Sequence, residues 1–130
     1  MKQILLAIVL IAVPVALFSS YEFYTVDTAQ AATTGLGDLS AFKTIIADVE
    51  ALAGKGDMAG AAKRITDFET AWDQAETAIR PLNQAEWGNI DAAADPALQA
   101  VRSPKATAAT AKPPLDALLA TLNDPSKPAA

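Results

Sequence analysis

Residues Met58–Leu82 read MAGAAKRITDFETAWDQAETAIRPL. Met58, Ala61, Ile65, Phe68, Trp72, Ala75, Ile79 and Leu82 recur in alternating steps of three and four. On an α-helix that spacing puts them in one seam, and so long a seam needs partner helices to cover it. Asp57 stands where an N-cap is wanted, and Pro81 lacks the N–H that another turn requires. The stretch predicts a helix with a buried a/d-type stripe, and with it an all-α fold.

Upstream, Leu39, Phe42, Ile45, Ile46, Val49, Leu52 and Ala53 repeat the same spacing behind Asp38. They predict a helix capped by Asp38 and stopped at Gly54, with Lys55-Gly56 completing the turn. Downstream, Asn83 and Glu86 stand at capping-box spacing. Trp87, Ile90, Ala94, Leu98 and Val101 then share a face that keeps phase across Pro96, so the expectation is a kink rather than a break. Ser103-Pro104 reads as a cap and first-turn proline pair. Residues 105–112 have helical composition, but Pro113-Pro114 removes two backbone donors before a last short helix with Leu115, Leu118, Leu119 and Leu122. Asn123 to Ala130, with two prolines and no apolar anchor, reads as a disordered tail. No strand-like alternation competes. Residues 38–122 therefore form a small antiparallel helical bundle of about four segments.

The N-terminus has a different character. Ile4 to Phe18 is an uncharged apolar run, broken only by Pro14 and extended by Ser19, Ser20 and Tyr21. A bilayer core takes about 20 apolar residues and a secretory signal about 7–15, so the run lies between the two. Lys2 precedes it and Glu22 and Asp27 follow it, a bias that leaves the N-terminus inside and sends the rest out. Tyr21, Phe23 and Tyr24 occupy the place of an interfacial aromatic belt. The best cleavage match, Ala29-Gln30-Ala31, lies far beyond the run. We therefore expect residues 1–24 to be an uncleaved signal anchor, a transmembrane helix contacting the membrane through residues 4–21. A cleaved signal peptide is the alternative. Residues 25–37 read as a tether. The expected location is the bacterial inner membrane, single-pass, with the C-terminal domain in the periplasm.

Composition narrows function by exclusion. The chain has 130 residues, 30 of them alanine, with no cysteine and no histidine. That removes disulfides, zinc ribbons, thiol nucleophiles and the commonest general base. A formal net charge of −5 disfavours nucleic acid as a partner. No serine lies in a G-x-S-x-G frame, and Gly54-Lys55-Gly56 is not a phosphate loop. No cofactor is implied, and no enzyme is expected.

The residues with some chemical promise are acidic. Glu69, Asp73, Glu76 and Arg80 fall within about 60° of one another on a helical wheel, bordering the apolar seam. Asp91 lies one turn from Trp87 on the next helix. Glu69, Asp73, Glu76 and Asp91 are candidate ligands for a hard cation such as Ca²⁺ or Mg²⁺. The plainer reading is a solvated ridge in which Glu76 pairs with Arg80. Trp72 and Trp87 read as core residues, or else as walls of a cleft for an organic cation.

The stretch Ile65-Thr66-Asp67-Phe68-Glu69-Thr70-Ala71-Trp72-Asp73-Gln74-Ala75-Glu76, followed by Trp87-Gly88-Asn89-Ile90-Asp91, resembles a small helical domain of bacterial envelope proteins. Its pattern, D-x-E-x-x-W-D-x-A-E then W-x-x-x-D, falls on Asp67, Glu69, Trp72, Asp73, Ala75, Glu76, Trp87 and Asp91. The resemblance covers residues 38 to about 122, Leu98-Gln99-Ala100-Val101-Arg102 included, and departs from the family at Pro96 and Pro113-Pro114. It implies a fold and a compartment. Some members carry a histidine kinase label, which cannot transfer to a chain with no histidine and no nucleotide motif. The combined expectation is a non-enzymatic, membrane-tethered periplasmic interaction module with a protein partner at the acidic ridge or the alanine-rich flank. The alternative is a domain that binds a cation or small ligand at that ridge.

Overall fold

Four α-helices follow one another in the computed structural model, which describes residues 35–129. They are α1 (Ser40–Gly54), α2 (Met58–Ile79), α3 (Gln84–Arg102) and α4 (Ala108–Asn123). Among the described residues there is no strand. Contacts run round a ring, α1 to α2, α2 to α3, α3 to α4 and α4 back to α1. Short connections between ring neighbours give the up-down bundle that the sequence predicts. The expected anchor, and all of the tether before Gly35, lie outside the described residues. No described helix is long and apolar enough to cross a membrane.

Each helix supplies a row to one core. The rows are Phe42, Ile46, Val49 and Ala53; Ala61, Ile65, Phe68 and Trp72; Ile90, Ala93, Ala94, Ala97 and Val101; and Ala111, Leu115, Leu118 and Leu122. All four keep the three-and-four spacing. The α2 seam is buried only as far as Trp72: Ala75 and Ile79 are half-buried, and Leu82 is 61% exposed. Its C-terminal end outruns the helices that would cover it.

Helix boundaries differ from the expectations in instructive ways. α1 begins at Ser40 with Leu39 in the cap position; Asp38 serves from one residue earlier, accepting the Ser40 N–H at 2.9 Å. The turn after α1 is made by Gly56, not Gly54. Gly56 has φ +81°, its N–H reaches Ala53 O at 2.9 Å, and Asp57 N–H reaches Leu52 O at 3.0 Å. This is a Schellman closure, and its left-handed residue needs glycine. Asp57 caps α2 as expected, through Gly60 N–H at 2.9 Å. Asn83 caps α3 through Glu86 N–H at 3.1 Å, but the return half of the box is missing. Glu86 Oε2 lies buried without a partner, and a β-carbon at Gly35 would sit 3.0 Å from it. Gly35 thus packs on the first turn of α3, and Leu36 is buried in the core, so the predicted tether ends before Gly35.

The largest correction concerns the C-terminal third. Ser103 closes α3 instead of opening the next helix, and Thr107 is the true N-cap, in a complete box with Thr110. From there α4 runs unbroken through Pro113 and Pro114, as α3 does through Pro96. Each proline deprives the carbonyl four residues back of its donor. Those carbonyls belong to Ala92, Ala109 and Thr110, residues that are all exposed, so that solvent can take the place of the lost donor. The exposed positions of those residues lower the cost of each missing bond. The predicted disordered tail is folded back as well. Asn89 Nδ2 donates to Pro125 O at 2.9 Å, and Pro125 is buried.

Candidate functional site

The acidic ridge is present in the sequence order but is not assembled as a site. Glu69 pairs with Arg102 of α3, while Glu76 pairs with Arg80 one turn on, at 2.8 Å. Asp91 Oδ1 accepts from Trp72 Nε1 at 3.3 Å. Asp73 is exposed, with neither hydrogen bond nor ion pair. Among the described residues no three acids are gathered to hold a metal ion. The physical reason is that Arg80 and Arg102 turn two of the four carboxylates to neighbours of opposite charge, and an indole N–H turns a third. The Arg102 guanidinium beside Glu69 holds its carboxyl below the ordinary glutamate range.

The two tryptophans are part of an aromatic column. The Phe42 ring meets Trp72 edge-on at 5.2 Å, and Phe68 stacks on Trp72 at 6.0 Å. Trp72 in turn stacks on Trp87 at 5.9 Å. The Arg80 guanidinium lies 4.8 Å from the Trp87 ring centre. Trp72 is buried in the core, and the cation over the exposed side of the column does not come from a ligand. It is the chain's own arginine, held in place by Glu76.

A different cleft opens between α1 and α4. Its volume is about 380 Å³, near the lower end of the range of ligand pockets. Small residues create it: Ala53 and Gly54 at the end of α1, Ala108 and Ala109 at the start of α4, with Leu115 at its floor. Three charged side chains stand around this apolar surface. Lys112 Nζ holds both oxygens of Asp116, at 2.7 and 2.9 Å. Glu50 faces them from α1, and its Oε1 is shielded from solvent without a hydrogen-bond partner. Burial, and then the facing Asp116 carboxylate, push the Glu50 carboxyl above its ordinary range; Lys112 offsets part of that.

Sequence reading missed this cleft. The i,i+4 spacing of Lys112 and Asp116 was legible, and so was Glu50 beside Val49. What no spacing rule supplies is the juxtaposition of residue 50 with residue 116. A second groove of similar volume lies where Pro96 of α3 faces Pro113 and Pro114 of α4, but it carries no charged side chain. Comparisons with protein-family models, curated proteins and solved structures returned no match.

Proposed function

We propose that this chain is a non-enzymatic, membrane-tethered docking module of the bacterial envelope, and that it engages a protein partner through the α1–α4 cleft. The observation that carries this reading is the cleft itself: a preformed apolar hollow with an incompletely balanced carboxylate at its edge. The ridge supports docking less well, because its acids are largely spent on Arg80, Arg102 and Trp72. The same pairings leave the alternative, cation binding at Glu69, Asp73, Glu76 and Asp91, without a gathered ligand set.

Membrane tethering rests on the apolar run from Ile4 to Phe18 and the charges that flank it. The resemblance to envelope domains agrees with that compartment.

Two experiments test the reading. A photo-crosslinking side chain at exposed Ala109, in the full chain in cells, should give a discrete adduct; the same group at Asp73 should give none. Adducts at both positions, or at neither, would remove the cleft from the account. Mass spectrometry of the protein from its own membrane should find residues 1–24 attached. A mature N-terminus between Ser20 and Ala32 would make the segment a signal only.

A further inference from the structure

We infer that the α1–α4 cleft receives a lysine side chain presented by the protein partner. This assignment rests on the docking role proposed above and names what the cleft recognises. Three observations combine. The hollow is apolar along Ala53, Ala108, Ala109 and Leu115, which suits an aliphatic stem. Its charge is unbalanced: two carboxylates, Glu50 and Asp116, share one ammonium, Lys112. Lys112 holds both oxygens of Asp116, so the second carboxylate, Glu50, has no cation of its own in direct contact; its Oε1 lacks a hydrogen-bond partner and it faces Asp116 across the cleft.

Lysine matches both features, since it lays an apolar stem along a surface and keeps a compact cation at the tip. Arginine matches less well. Its planar fork seeks both oxygens of one carboxylate, and Glu50 Oε1 is shielded while Asp116 is already held by two contacts. An anionic side chain would meet two carboxylates and a lysine already engaged. A neutral apolar side chain would fill the hollow but bury the Glu50 charge further, which is unfavourable.

The test uses the full chain in detergent micelles with labelled alanine methyl groups. The probe is N-acetyl-lysine N-methylamide, compared with the matching norleucine, arginine and Nζ-acetyl-lysine compounds and with n-butylammonium. The methyl signals of Ala53, Ala108 and Ala109 should shift saturably with the lysine probe and far less with the two neutral ones. Glu50→Gln should weaken that binding by about tenfold or more, a change readily read from a titration. Asp73→Asn should leave it unaltered. Equal responses to the lysine and norleucine probes, tighter binding of arginine, unchanged affinity in Glu50→Gln, or no saturable shift with any probe would overturn the assignment. Tighter binding of n-butylammonium than of the blocked lysine would overturn it in favour of a free amine. The two proposals fail separately: a crosslink at Ala109 without lysine preference leaves docking and removes lysine. Lysine preference without a crosslink removes docking by a partner protein, and with it the assignment as stated.

Discussion

Trp72 joins three rings that come from three helices, Phe42, Phe68 and Trp87, and its N–H is given to Asp91. It is 3% exposed. Truncating so large a buried side chain costs about 3–5 kcal/mol. Small domains have roughly 5–15 kcal/mol in hand. Trp72→Ala should therefore be the most damaging single change near the ridge, read as a large fall in denaturation midpoint of the full chain; a midpoint within a few degrees of wild type would contradict its core role. The ridge acids should behave individually. Asp73→Asn removes an unpaired charge near two other acids and should leave stability level or slightly raised. Glu69→Gln breaks the link to Arg102 across α2 and α3 and should lower it, by no more than about 1 kcal/mol because the pair is partly exposed. Sequence spacing gives Glu69 and Asp73 nearly the same environment. The position of Arg102, 33 residues away, separates them.

At the scale of elements, α4 is the helix whose continuity is least expected from local rules. Two adjacent prolines inside a helix forfeit two bonds and crowd the preceding turn. The Thr107–Thr110 box secures the start, and burial of Ala111, Leu115, Leu118 and Leu122 secures the rest. Tertiary packing here overrides propensity, which is a weak prior by comparison. Changing Pro113 and Pro114 together to alanine should keep the fold and raise stability by about 1–3 kcal/mol, measured by chemical denaturation. A loss of stability would mean that the rings fill the α3–α4 groove more usefully than the lost bonds cost. The seam of α2 shows the opposite relation. Its apolar pattern runs to Leu82, yet burial stops near Trp72, since periodicity records which face is apolar and not how far a neighbour extends.

For the whole molecule, the response to pH follows from opposed shifts. Glu69 is held below its ordinary value of 4.5, and Asp38 and Asp124 below 3.8. Their contributions are present above those values and are lost as pH falls through the lower folded ones. Glu50 is raised above 4.5, so the folded chain holds its proton more tightly than the unfolded chain. Stability should therefore climb as pH falls from neutral through the raised Glu50 value, then decline below 4.5. Lys112 and Lys127, raised above 10.5 by Asp116 and Asp124, add a loss on the alkaline side. A melting series of the full chain should show stability rising as pH falls from neutral and declining in stronger acid, and Glu50→Gln should flatten the rise. A monotonic fall from neutral pH in the wild-type chain would contradict the Glu50 environment described here.

By itself the sequence determined the all-helical class, the four helical segments, most core positions and the caps at Asp57 and Asn83. These are local matters, decided by side-chain periodicity and by hydrogen bonds spanning a few residues. Leu36, Ala93, Ala97 and Pro125 entered the core or its edge unannounced, because burial depends on what lies opposite. The ridge was legible as a pattern, but its chemistry was not. Whether four carboxylates gather or disperse depends on Arg102 and Trp72 approaching from other turns and helices. The α1–α4 cleft was decided by tertiary structure alone: small residues from two distant segments leave a hollow only when their helices meet, and Glu50 acquires its unbalanced charge only when Asp116 is brought to face it.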